Sequence, residues 1–153
     1  MTGSISPFPL VRNGNRKHPV RTLQYLLRAR NHPVDVDGIF GPKTDAAVRA
    51  FQMDKHLAVD GIVGPATWRA LIVTVRRGSQ GDAVRGVQEE FQFRNLSGDP
   101  SKGPQIDGSF GPKTEAAVRA FQQALHAGIP SIAVDGIVGP VTWQALVSGM
   151  LAG

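Results

Sequence analysis

The sequence predicts an all-α protein made of two tandem small three-helix bundles. Three observations predict it: a segment that occurs twice, a turn motif that occurs twice within each copy, and apolar residues spaced three and four apart after each turn. Residues 37–52, DGIFGPKTDAAVRAFQ, return as residues 107–122, DGSFGPKTEAAVRAFQ, identical at 14 of 16 positions with an offset of 70. Residues 60–71, DGIVGPATWRAL, return as residues 135–146, DGIVGPVTWQAL, identical at 10 of 12 positions with an offset of 75. A weaker echo at an offset of 64 aligns Val11, Arg12, Gly14, Val20, Arg21 and Gln24 with Val75, Arg76, Gly78, Val84, Arg85 and Gln88.

The growing offset places two insertions in the second copy, near residues 95–105 and 126–132. Both contain Gly, Pro or Ser and are expected to be surface loops. The first copy therefore spans residues 8–72 and the second residues 73–149. Because residues 71–80 run almost directly from one bundle to the next, the copies are expected to pack together rather than swing freely.

The motif D-G-x-[FV]-G-P-x-T begins at positions 37, 60, 107 and 135. Its chemistry is that of a bend leading into a helix. Gly38, Gly61, Gly108 and Gly136 suit a backbone at positive φ, and Asp37, Asp60, Asp107 and Asp135 suit acceptance of N–H bonds inside their own turns. Pro42, Pro65, Pro112 and Pro140 each suit the first position of a helix.

After Pro42, Thr44, Ala47, Val48 and Phe51 form a helical stripe, and Thr114, Ala117, Val118 and Phe121 repeat it. The leading helices carry Val20, Leu23, Gln24 and Leu27, then Val84, Val87, Gln88 and Phe91. Trp68 with Leu71, and Trp143 with Leu146, supply the third helices. A unit of roughly 65 residues has a small core, so its Phe and Trp side chains should be the main apolar mass.

Composition narrows the function classes. The 153 residues include no cysteine, which excludes disulfides, a thiolate metal site and a cysteine nucleophile. The three Glu include the adjacent pair Glu89 and Glu90, which on a helix diverge by about 100° rather than flanking one glycosidic bond. No G-x-S-x-G or S-x-x-K is present, and His18, His32, His56 and His126 stand singly, so neither serine chemistry nor a metal site is expected. No cofactor is expected either. The longest apolar runs are too short for membrane insertion, and residues 1–10 do not resemble a secretory signal.

Charge is uneven. Residues 1–72 hold ten Lys and Arg against five Asp, whereas residues 73–153 hold seven of each sign. A basic first half admits an anionic polymer as partner, nucleic acid included, but no helix is packed with Arg, Lys, Asn and Gln in the manner of a recognition helix.

The run V-x-x-L-Q, D-G-x-F-G-x-x-T-x-x-A-V-x-x-F-Q, V-D-G-I-V-G-x-x-T-W-x-x-L resembles the peptidoglycan-binding domain found on bacterial cell-wall hydrolases. The likeness covers nearly the whole chain, twice. The second lead-in, Arg77-Gly78-Ser79-Gln80-Gly81-Asp82, is similar to the family's usual opening, and the first departs from it at Asn15, Arg16 and Lys17.

The resemblance implies a secreted or wall-associated, non-catalytic module that binds the glycan or stem peptide of peptidoglycan. It would anchor itself or a partner hydrolase, or belong to a phage or secretion assembly that contacts the wall. A polar, flexible ligand of this kind needs donors beside an apolar floor. Candidate donors are Arg49 and Gln52, with Arg119 and Gln122, expected on or beside the solvent side of the second helices. Arg21 and Arg85 add charge. Tyr25 is a candidate contact without an aromatic counterpart in the second copy, where Glu89 stands. Trp68 and Trp143 are expected in the core first, with a sugar-stacking role as the alternative.

Overall fold

The computed structural model describes residues 3–152. Six α-helices form two sets of three: α1 (Val20–Ala29), α2 (Pro42–Asp54) and α3 (Pro65–Leu71), then α4 (Asp82–Arg94), α5 (Pro112–Gly128) and α6 (Pro140–Val147). Among the described residues there is no strand. Isolated antiparallel bridges join Val11 to Val63 and Val75 to Val138, tying the lead-in of each copy to the segment before its third helix. The fold is thus two tandem three-helix bundles.

Helices α2, α3, α5 and α6 start alike. A glycine in extended conformation precedes a proline at the first helical position, and no side chain caps the helix. Proline fits there because it has no N–H to leave unpaired and its φ is already helical. The glycine two residues before each [FV]-G-P sits at φ between 72° and 77°, a region that side chains with a Cβ rarely adopt.

Beneath every one of these four bends lies a buried glutamine. The Gln24 amide donates to Asp37 Oδ1 (2.9 Å), the Ile39 carbonyl (3.1 Å) and Thr44 Oγ1 (3.1 Å), and its oxygen accepts the N–H groups of Asp37 and Gly38. Gln52 does the same with Asp60, Ile62, Thr67 and Gly61. Gln122 does so with Asp135, Ile137, Thr142 and Gly136. Gln88 engages Asp107, Ser109, Thr114 and the Gly108 N–H. Each amide shares its two hydrogens among three acceptors, and no buried side-chain polar atom among the described residues is left without a partner.

The aromatic side chains fill the remaining space. Phe40, Phe51 and Trp68 in one copy, and Phe110, Phe121 and Trp143 in the other, are buried with the leucines and valines of the helical stripes. Each indole N–H is also used: Trp68 donates to the Pro9 carbonyl (2.8 Å) and Trp143 to the Val73 carbonyl (2.7 Å), one copy-length apart. The tryptophans therefore clip the lead-in segments onto the third helices.

The two bundles share one continuous buried cluster, and α1 packs against α4 in antiparallel fashion. Arg28, at the end of α1, meets Asp82 at the start of α4, and Arg21 pairs with Glu89. Close approach at the middle comes from Gly86, where an added Cβ would lie 3.4 Å from the Trp143 ring and 3.7 Å from Tyr25 Cβ. At the other end Glu90 is fully buried, yet it accepts from Thr22 Oγ1 (2.6 Å) and Arg94 Nη1 (2.7 Å) and meets His18 Nε2 (2.8 Å). Arg94 continues to the Leu146 and Met150 carbonyls, as Arg30 reaches those of Leu71 and Ile72 in the first copy.

Three sequence expectations are corrected. Gln52 and Gln122 do not lie on the solvent side of α2 and α5; both are 1% exposed, because the bends need an amide beneath them. Trp68 and Trp143 are 0% exposed, in the core where they were expected first, and it is their sugar-stacking alternative that is corrected, since no face is left for it. The second insertion is not wholly a loop, since α5 runs through His126 to Gly128 and is 17 residues long against 13 in α2.

Two outcomes follow from this packing. Replacing Gln52 with Leu keeps the volume but leaves the buried Gly61 N–H without an acceptor; urea titration should show a loss of about 3 kcal/mol, and a loss near zero would refute the role given to the amide. Glu90→Ala leaves the buried Arg94 without its carboxylate and removes the acceptor of Thr22, and should cost about 3–5 kcal/mol, measured by the same titration.

Candidate functional site

The sequence-selected arginines occupy one equivalent position in each of the four bends. Arg21, Arg49, Arg85 and Arg119 each stand three residues before a locking glutamine, and their guanidinium groups or stems lie over the glycine of the bend. An added Cβ would come within 3.3 Å of Arg21 at Gly38, 2.8 Å of Arg49 at Gly61, 2.8 Å of Arg85 at Gly108 and 3.1 Å of Arg119 at Gly136. The backbone conformation favours glycine at these positions, and a Cβ there would also push the arginine aside.

These arginines are also paired. Arg49 bonds Asp45 (3.0 Å) and the Val59 and Asp60 carbonyls. Arg119 reaches the Val134 carbonyl (3.3 Å) and lies near Glu115. Arg85 pairs with Asp82 (3.0 Å), while Arg21 takes Glu89 from the other copy and the Val36 carbonyl. They brace the bends while their outer edges remain exposed. Tyr25 is half-buried in the contact between α1 and α4, beside Gly86.

The open clefts lie elsewhere. The largest, about 580 Å³, is in the first copy between the end of α1 and the start of α2. Arg28, His32, Asp35 and Lys43 form its polar wall, and Pro33, Val34, Ala46 and Ala47 its apolar one. His32 is held by Asp54 (2.8 Å) and by the edge of Phe51 (5.7 Å between centroids). A second groove of about 380 Å³, sharing Asp35 and Lys43, follows the first bend past Asp37, Ile39, Gly41 and Thr44.

A groove of about 300 Å³ at the fourth bend has the same makeup, with Asp135, Ile137, Gly139 and Thr142 in the corresponding positions and Gln122 in its wall. Two remote copies of the motif therefore build a groove on the same bend residues, with Val141 in the second standing where Lys43 stands in the first. Of the residues selected from the sequence as candidate ligand contacts, Gln122 alone lines one of these three clefts, beside the turn residues Asp37 and Asp135. Arg21 lines instead a smaller one, about 100 Å³, at the seam with Arg16, Lys17, His18 and Phe93. The sequence reading missed Arg28, His32, Asp35 and Lys43. Of these, only Lys43 belongs to a repeated segment, as the K of G-P-K-T.

Among the described residues no group of three His, Asp or Glu is placed to hold a metal ion, and no helix is long and apolar enough to cross a membrane.

The model of the family described as "Putative peptidoglycan binding domain" matches residues 16–71 and again residues 80–146. The chain belongs to that family. Among characterised relatives, it is 35% identical over 133 residues to a zinc D-Ala-D-Ala carboxypeptidase of Streptomyces albus G, covering 86% of this chain and 45% of the relative. It is 35% identical over 124 residues to the N-acetylmuramoyl-L-alanine amidase CwlM of Mycobacterium tuberculosis, covering 71% of this chain and 27% of the relative. It is 30% identical over 170 aligned positions to the amidase CwlL of Bacillus licheniformis, covering 91% and 45%. The chain spans less than half the length of each.

The bends give the domain an acid limit. Asp37, Asp60 and Asp107 are held below the ordinary carboxyl value of 3.8, chiefly by the backbone N–H two residues on, with the glutamine amide adding to it. A carboxyl lowered in the folded state gives stability that is complete above 3.8 and is lost as pH falls through its lower folded value. The melting temperature should therefore drop as the pH is taken below about 4. Asp60→Asn keeps an oxygen acceptor and should flatten that drop; an unchanged acid profile would rule out the titration of this bend as its cause.

Proposed function

We propose that the chain is a non-catalytic module that holds bacterial peptidoglycan, acting outside the cell or at the wall and keeping itself or a partner hydrolase on its polymer. The observation that carries this reading is the presence of the family's domain in both halves, each leaving concave surfaces at its Asp-Gly bends. The relatives are named for different bonds of the wall, D-Ala-D-Ala and N-acetylmuramoyl-L-alanine, and a shared holding module suits enzymes that act at different places on one polymer. The first copy's clefts set the cations Arg28 and Lys43 and the carboxylates Asp35 and Asp37 beside alanines, a surface for gripping the carbonyls and amides of a peptide rather than for breaking a bond.

The binding units are residues 8–72 and 73–149. Joined by the contacts of the buried Glu90 with Thr22 and His18 and by the packing of α1 on α4, they present their surfaces at a fixed spacing. A repetitive, insoluble polymer would then be held by two weak contacts at high effective concentration. A nucleic-acid role is disfavoured by the arginines, since Arg21, Arg49, Arg85 and Arg119 are spent on carboxylates and backbone carbonyls of their own chain.

The test is co-sedimentation with purified, nucleic-acid-free sacculi, with salt-titrated DNA binding run beside it. Retention on sacculi without release of soluble muropeptides is expected. Protein remaining in the supernatant, or muropeptides appearing there, would refute the proposal.

A further inference from the structure

The second copy shows what its own cleft accepts. Positions equivalent to Arg28, Lys43 and Ala46 of the first copy are Gln92, Lys113 and Ala116, by the repeat offsets of 64 and 70. In the first copy they border the open 580 Å³ cleft. In the second, the inserted segment lies over them. Gln92 Nε2 donates to the Pro100 carbonyl (2.9 Å) and the Pro104 carbonyl (2.8 Å), and Lys113 Nζ donates to the Ser101 carbonyl (2.7 Å). Gly103 sits flush on Gln92, where an added Cβ would meet the amide nitrogen at 3.0 Å.

The covering segment is fixed rather than loosely laid. Asp99 Oδ1 accepts from the Ser101 N–H (3.0 Å) and hydroxyl (2.8 Å), closing the single 3-10 turn Pro100–Lys102, and Asn95 Nδ2 donates to the Asp99 carbonyl (2.8 Å). A five-residue stretch of peptide backbone thus satisfies the donors of the second cleft with its own carbonyls.

We infer that the first copy's open cleft takes a short peptide, with Arg28 and Lys43 donating to its carbonyls or terminal carboxylate and small side chains lying against Ala46 and Ala47, while the second copy's equivalent cleft is occupied by its own insertion. The chemistry follows from the repeat. Lys43 is the same residue as Lys113 at the same place, and Arg28 replaces an amide donor with a cation that also suits a carboxylate. Arg28 is only loosely engaged elsewhere, 3.4 Å from Asp82. Lys43 is exposed and forms no ion pair among the described residues. On the wall-binding reading, on which this inference rests, the ligand is the stem peptide and not the glycan.

The experiment uses the full isotopically labelled chain and two probes prepared from sacculi with an amidase: the released stem peptides and the peptide-free glycan strands. Stem peptide should shift the backbone resonances of Arg28, His32, Asp35, Lys43 and Ala46. Their second-copy counterparts should stay still. Lys43→Glu, a change at an exposed position, should weaken peptide binding at least about ten-fold, the loss of one charge-assisted hydrogen bond and its replacement by repulsion. Lys113→Gln should leave it within about two-fold. Shifts in the first cleft from glycan alone, equal response in both copies, or indifference to Lys43→Glu would overturn the inference. Retention on sacculi is measured in parallel: if the unsubstituted chain is retained while the cleft ignores stem peptide, only this inference fails, and if it is not retained, the wall-binding reading fails with it.

Discussion

A glutamine amide buried beneath an Asp-Gly bend is the constraint on which both bundles rest. Helices of seven or eight residues, such as α3 and α6, are too short to be stable alone. Their starting points must be fixed by something other than their own hydrogen bonds. Glycine–proline steps set the backbone, and the amide ties that step to the preceding helix through three donations and up to two acceptances. Direction and register of the next helix then follow. The core behind it needs only a few large side chains, because the angle at which helices meet is already determined by polar contacts.

The same device explains why the second copy tolerates an insertion at each of its bends. Glutamine and aspartate are separated by 13 residues at the first bend, 8 at the second, 19 at the third and 13 at the fourth. The lock closes over all four lengths because loop closure grows costly only slowly with length, while the geometry at its ends stays the same. Extra residues accordingly collect between the lock's two halves, and there they reshape the surface without disturbing the core.

The helices and bends were legible in the sequence because their determinants are local: a proline at each helix start, a glycine in each turn, and Val48, Phe51, Val118 and Phe121 on one face. The same local logic misplaced Gln52 and Gln122. A polar residue beside Phe at the end of an amphipathic stripe suggests an exposed donor, and the variable distance from glutamine to aspartate hides their partnership. Arg21, Arg49, Arg85 and Arg119 share one position in the repeat, and their engagement is with the bends. The clefts were the least legible. Arg28, His32 and Asp35 lie outside the repeated segments, and nothing in their spacing says that α1 and α2 leave room between them.

Duplication without the seam would give two interchangeable modules on a string. The buried Glu90, paired with Arg94 on its own helix and with Thr22 and His18 of the first copy, makes the two copies a single body, since separating them would break those two cross-copy contacts and expose the apolar surface around them. Leu26 occupies the position equivalent to Glu90 in the first copy, so the arrangement is not a symmetric legacy of duplication; it arises where the two sequences have diverged. Divergence has acted on the surface as well, leaving one cleft open and covering its counterpart with chain. On the wall-binding reading, a rigid pair with unlike faces would meet its polymer in one orientation, which two identical, freely tethered domains would not do.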